Sequence, residues 1–182
     1  MTVIKKILAP LSFSLAALLA ATSGQCALKV GDMAPSFSVQ AATNGAVSQF
    51  SLDEALKSGP VVVYFYPKAF TKGCSLEAHQ FSEAIDQFKA LGVTVIGLSA
   101  DDIDLLKKFS MADCQGKFPV GSDPKAVIAG KYDAKLTIPG MDMSSRTSYL
   151  ITPDHKIVFV HSDMNAQGHV DSLLDAAKAL KK

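Results

Sequence analysis

Two kinds of apolar pattern alternate along the chain. Residues 60–66, PVVVYFY, and 93–99, VTVIGLS, are continuous apolar and β-branched runs of the kind that form strands buried on both faces of a sheet. Between them Ala78, Phe81, Ile85 and Phe88 recur at helical spacing over 74–91, with Glu83, Asp86, Gln87 and Lys89 elsewhere around the turn, and Gly92 closes the helix. Strand, helix, strand in this order predicts a right-handed unit with parallel strands. Upstream, SFSVQ and AVSQFS flank the turn-like AATNG and predict an N-terminal β-hairpin. Downstream, DDIDLLKKFSMAD (101–113) predicts a helix whose opening acids suit its dipole, and DPKAVIAGKY (123–132) a short helix. TSYLIT and KIVFVH, turned at PDHK, predict a strand pair, and HVDSLLDAAKALKK (169–182) a last helix. The sum is an α/β domain with a central mixed sheet flanked by helices on both faces.

The first 27 residues read differently. Lys5 and Lys6 precede an apolar run from Ile7 to Ala21 and then small residues, the layout of a secretory signal peptide, and the run is short for a membrane span. Cleavage is expected between 23 and 27, leaving one domain over 28–182 that is large enough to bury its own core. Cys26 raises lipid attachment, but Gln25 stands where that signal places a small residue. Without Lys5 and Lys6 there are 16 basic and 17 acidic side chains, so neither nucleic acid nor an anionic membrane is an expected partner. Of the 18 basic residues in the whole chain only Arg146 is an arginine. Two cysteines remain in the domain, Cys74 and Cys114, too few for a disulfide-framed scaffold. In an exported protein they are either a structural bridge or a redox pair that opens and closes.

A structural cysteine is expected in mid-strand or on the buried face of a helix. Cys74 reads as neither, falling at the strand-to-helix junction where α/β sheets present their sites. Amides in the first turn of a helix lack intrahelical partners and carry partial positive charge, which favours the nucleophilic thiolate. Ionisation alone does not make a fast catalyst, because charge must also be stabilised on the displaced atom. Thr71 offers a hydroxyl in the same turn, and Pro67 shields without adding a donor. Arg146 supplies a permanent charge with a fork of donors. His79, His155, His161 and His169 show no ligand spacing and read as surface or packing residues, so neither a metal nor any other cofactor is expected.

PKAFTKGC, with Pro67, Thr71 and Cys74 at fixed spacing, resembles the active-site signature of the peroxiredoxins in the AhpC/TSA superfamily. YFYPKAFTKGCSLEA is similar to the branch typified by peroxiredoxin Q and the bacterioferritin comigratory protein. VGDMAPSFSV, VTVIGLSADD, KFPVGSDP and RTSYLITPDHKIV extend the likeness from about residue 29 to the C-terminus. The resemblance implies a thioredoxin-like fold and a thiol peroxidase acting on hydrogen peroxide and organic hydroperoxides. It implies that Cys74 is the peroxidatic cysteine, forming a sulfenic acid, with Thr71 bonding peroxide and thiolate, Pro67 shielding them and Arg146 polarising the site. Glu77 matches a helix carboxylate that orients the arginine.

The chain departs from the branch at His79, which stands where the most familiar resolving cysteine falls, five residues after Cys74. Other members carry that cysteine around the helix before KFPVGSDP, and Cys114 lies there. No cysteine follows Cys114, which excludes resolution through a partner's C-terminal arm and favours a monomer. The expected reductant is a thioredoxin-like or other thiol carrier of the periplasm or cell envelope. A thiol–disulfide oxidoreductase needs Cys-x-x-Cys, and TKGC puts Thr71 in the first position. A redox sensor would use the same cysteine, and sustained turnover separates it from an enzyme.

Overall fold

The structure, a computed structural model, describes residues 27–181. The leader expected over 1–27 and Cys26 therefore lie, Ala27 apart, outside the described residues.

The N-terminal hairpin forms from β1 (Ser38–Thr43) and β2 (Ala46–Ser51). Its turn is shorter than predicted. Thr43 pairs with Ala46, so only Asn44 and Gly45 remain in the loop, both at positive φ (48° and 76°), and Ala41–Thr43 continue the strand. Asn-Gly is the pair that tolerates two successive left-handed residues. A short helix, α1 (Leu52–Leu56), follows, capped by the Ser51 hydroxyl.

The predicted βαβ unit is present as β3 (Val61–Phe65), α2 (Lys72–Ala90) and β4 (Thr94–Ser99), with β3 and β4 parallel. Then come α3 (Ile103–Ala112) and β5 (Val120–Ser122). The segment predicted as one short helix is a 3₁₀ turn, Pro124–Ala126, followed by α4 (Val127–Lys131); left-handed Lys125 and Ala126 (φ 64° and 51°) break it in two. A two-stranded ribbon, β6 (Lys135–Ile138) and β7 (Met141–Ser144), precedes the predicted pair β8 (Thr147–Ile151) and β9 (Ile157–Ser162). Helix α5 (His169–Ala179) ends the fold.

The central sheet runs β2-β1-β5-β4-β3-β8-β9 and is mixed, with β3, β4 and β5 parallel and the remaining pairings antiparallel. Strand β3 is buried throughout, and its alternation feeds two cores. Val62 and Tyr64 join residues of α2, α3 and α5 on one face, while Val61, Val63 and Phe65 join residues of α1 and α4 on the other. The Tyr64 ring stacks on Phe81 and crosses Gly97, where a Cβ would fall 2.5 Å from the ring. The C-terminal ends of β3 and β4 therefore open under the N-terminus of α2.

Candidate active site

The chain leaves β3 through Tyr66 and Pro67, and Pro67 is half-buried at the start of the turn. The turn is tightly held. The Ala69 N–H donates to Asp101 Oδ2 at 2.7 Å, and the same carboxylate oxygen accepts from the Ser99 hydroxyl at 2.9 Å. Phe70 sits at φ 60°, a left-handed backbone costly for a bulky side chain, with its ring edge against Phe109. Thr71 is the N-cap of α2, and its hydroxyl donates to the Lys68 carbonyl at 2.9 Å. That bond rigidifies the turn and leaves the lone pairs of the hydroxyl free to accept.

Helix α2 begins at Lys72, two residues earlier than its apolar periodicity indicates, and Cys74 is its third residue. This corrects the sequence reading of Cys74. The thiol lies on the buried face, four residues ahead of Ala78 in the same stripe, and is only 2% exposed. It is a core residue by position and differs from the rest of the stripe in having polar partners. Its own amide belongs to the first turn, where N–H groups have no intrahelical acceptor.

Arg146 reaches this thiol from 72 residues away in sequence. Ribbon β6–β7 delivers it: the Ser144 hydroxyl donates to the Tyr66 carbonyl at 2.8 Å, fixing the end of β7 to the end of β3. All three guanidinium nitrogens are then used. Nε donates to the Met164 carbonyl at 3.0 Å, Nη1 to Glu77 Oε2, and Nη2 to Cys74 Sγ at 3.4 Å. Gly73 eases this approach, since a Cβ there would lie a tight 3.0 Å from Nη2. Burial pulls the Arg146 pKa down, but Glu77 and then Cys74 outweigh it, and the net shift is upward. The guanidinium stays charged against the sulfur. Glu77 is fully buried one turn along α2, and burial pushes its carboxyl up to about 7 against the opposing pull of Arg146.

Cys114 lies just beyond α3, with no exposed surface and its thiol free, as is that of Cys74. Burial, and after it the neighbouring Asp113 charge, push the Cys114 thiol far up. Both cysteines belong to the same apolar cluster, and their neighbours touch: the Ser75 hydroxyl donates to Asp113 Oδ2 at 2.8 Å. His79 and Gln115 meet at 3.1 Å, and Lys117 Nζ donates to the Ser82 carbonyl at 3.1 Å. The segment after α3 is thus pinned along α2 at successive helical turns.

The structure puts Arg146 in contact with Cys74 and Glu77, sets Thr71 at the cap of the helix that carries both and Pro67 at the start of the turn before it, and places Cys114 in the same apolar cluster as Cys74. Gly73, Asp101, Met164 and His169 complete the surroundings, and none of them carried a functional signal in the sequence. Gly73 adjoins the signature and could have been found from the need for close approach. Asp101 looked like one of two helix-opening acids; Asp102 is the cap, accepting from the Leu105 N–H at 2.8 Å, and Asp101 holds the turn instead.

Comparison with known proteins bears on the family and the fold. The AhpC/TSA family profile matches residues 30–160. Peroxiredoxin Bcp of Escherichia coli is 32% identical over 155 residues, spanning 83% of this chain and 96% of that protein. Among solved structures, peroxidoxin BcpB from Mycobacterium tuberculosis superposes with a TM-score of 0.78 at 28% identity, over 85% of this chain and 99% of that one. Xylella fastidiosa PrxQ does so with a TM-score of 0.75 at 25% identity, over 85% and 98%. The chain belongs to the AhpC/TSA family, and within it to the branch of peroxiredoxin Q and the bacterioferritin comigratory protein. It has the thioredoxin-like fold of those proteins, and the family supports a thiol-dependent peroxidase.

Proposed function

We propose that Cys74 reduces hydrogen peroxide and organic hydroperoxides, and that Cys114 resolves the product. The Cys74 thiolate attacks one peroxide oxygen; the S–O bond forms as the O–O bond breaks, and the departing oxygen leaves as water or alcohol after taking a proton. The observation that carries this reading is the Arg146 guanidinium, fixed at all three nitrogens with Nη2 3.4 Å from Cys74 Sγ. Held there, its charge stabilises the thiolate before attack and the negative charge growing on the displaced oxygen during it. Thr71, at the mouth of the turn, accepts a hydrogen bond from the bound peroxide, and Pro67 limits water. Glu77 orients Arg146.

Cys114 then attacks the sulfenic sulfur, a disulfide forms and water leaves. Shared burial in one apolar cluster and the Ser75–Asp113 bond support this pairing. A disulfide needs Cα atoms within about 7 Å, and unwinding of the first turn of α2 or the end of α3 would bring the sulfurs together as it releases the contacts that pin residues 113–117. Unwinding also frees Cys114 from the burial that keeps its thiol protonated. A thioredoxin-like dithiol carrier reduces the disulfide, and in keeping with the leader read from the sequence we place the enzyme in the periplasm or another exported compartment. The test is steady-state consumption of peroxide in the presence of a dithiol donor. Wild type should turn over repeatedly and Cys74→Ser should fall to background; equal activity of the two would remove Cys74 from the reaction.

A further inference from the structure

Behind Arg146 lies a cluster of buried polar side chains, of which the reaction above uses only Glu77. Glu77, Ser148 and His169 are all fully buried. The hydrogen bonds of His169 fix its tautomer. Nε2 is 2.9 Å from the Asp163 carbonyl, which can only accept, so the ring proton is on Nε2. Nδ1 is 2.8 Å from the Ser148 hydroxyl, which donates to it when the ring is neutral. Both ring nitrogens are satisfied by a neutral imidazole.

The consequence falls on Glu77. Its Oε1 lies 3.7 Å from His169 Nδ1 and has no hydrogen-bond partner among the described residues, while Oε2 is bonded to Arg146. A protonated His169 would offer Oε1 a charged donor and draw the carboxylate off Arg146. The neutral ring offers none, so among the described residues Arg146 is the one cation on Glu77. The charged and titratable groups facing His169 are Glu77 from α2, Arg146 ahead of β8, His161 from β9 with ring centroids 4.3 Å apart, and Asp163 from the following loop. Burial first of all pushes His169 down to about 4, consistent with the hydrogen bonding. The loop after β9 holds both halves of the arrangement, because Asp163 presents its carbonyl to His169 and Met164 presents its own to Arg146 Nε.

We propose that His169 is a positioning residue for the reaction at Cys74: clamped as a neutral imidazole between the Asp163 carbonyl and the Ser148 hydroxyl, it denies Glu77 a second donor and so keeps the Glu77–Arg146 pair aimed at the thiol. The inference rests on Cys74 being the reacting group, and its test includes readings that need no peroxide. Removing the ring with His169→Leu frees the Ser148 hydroxyl to compete for Glu77, which loosens Arg146. The pH profile of Cys74 alkylation by iodoacetamide should then move to higher pH, and the rate constant with hydrogen peroxide at neutral pH should fall roughly tenfold with little change in KM. His169→Gln, whose amide keeps a neutral donor for the Asp163 carbonyl, should recover most of that loss. In wild type, nitrogen-resolved histidine NMR should show the Nε2–H tautomer of His169 throughout about pH 5 to 8.

A folded His169→Leu protein with the wild-type alkylation profile would overturn the proposal, as would a His169 that charges within that pH range. If the leucine variant does not fold, the glutamine variant and the wild-type tautomer decide the matter. A wild-type protein that alkylates as described but consumes no peroxide would defeat the peroxidase reading and leave the positioning role standing.

Discussion

Cys74 and Cys114 are almost equally buried, at 2% and 0% exposure, and share one apolar cluster, yet their surroundings prepare them for opposite behaviour. Cys74 lies in the first turn of α2 with a guanidinium nitrogen at 3.4 Å. Cys114 follows the C-terminal end of α3, where burial and the Asp113 charge both disfavour its thiolate. The contrast teaches that solvent exposure does not rank these thiols. What separates them is whether a fixed positive group faces the sulfur, and which end of a helix dipole it meets.

Removing the fork should damage the contrast most. Arg146→Lys keeps one charge but cannot hold Glu77, Met164 and Cys74 at once, so the rate constant of Cys74 with hydrogen peroxide should fall roughly a hundredfold in stopped-flow measurements. A change smaller than threefold would mean that charge alone suffices. Cys114→Ser should be the next largest. Steady turnover with a dithiol donor should slow roughly tenfold, and an added oxygen should persist on Cys74 in the intact mass; rapid turnover without that adduct would show that Cys114 does not resolve. Gly73→Ala sharpens the account of Arg146 without touching a polar group. The new Cβ, 3.0 Å from Nη2, should push the guanidinium off the sulfur and cost roughly three- to tenfold in the same stopped-flow rate.

Much of this molecule was legible in sequence, for reasons that can be stated by element. Helix α2 is 19 residues long and shows its period over several turns, and strands β3 and β4, at the centre of the sheet, stand out as continuous apolar runs because both their faces are covered. Helix α1, strand β5 and the β6–β7 ribbon have three to five residues each, too few to show a period, and were not foreseen. The spacing of Pro67, Thr71 and Cys74 pointed to the site because a local turn makes it. The burial of Cys74 was misread by counting the helical stripe from Ala78, although Cys74 is its preceding member. His169 read only as a surface or packing residue, because its bonds to Ser148 and Asp163 are tertiary contacts that leave no local spacing signal.

The smallest expected effect is one of stability against pH. Folding raises Glu77 from 4.5 to about 7 and lowers His169 from 6.5 to about 4. Between about pH 4.5 and 6.5 the folded state therefore holds a proton on Glu77 that the unfolded chain has released, and lacks one on His169 that the unfolded chain carries. Their contributions to the slope of stability cancel there. Glu77→Gln leaves His169 alone, for which the unfolded state binds the extra proton, so stability should rise with pH between about 4 and 6.5. Urea midpoints measured across that range should climb in the variant and change less in wild type; equal slopes would contradict the assigned charge states.

The central claim is that, of two buried thiols, Cys74 is the one prepared to react. It is tested most directly by treating the reduced protein with one equivalent of hydrogen peroxide, quenching at short times, and mapping the oxidised sulfur by peptide mass spectrometry. The account predicts that the first oxygen appears on Cys74 and is then lost as a Cys74–Cys114 disulfide forms. First oxidation at Cys114 or at an exposed methionine, with Cys74 still reduced, would contradict it.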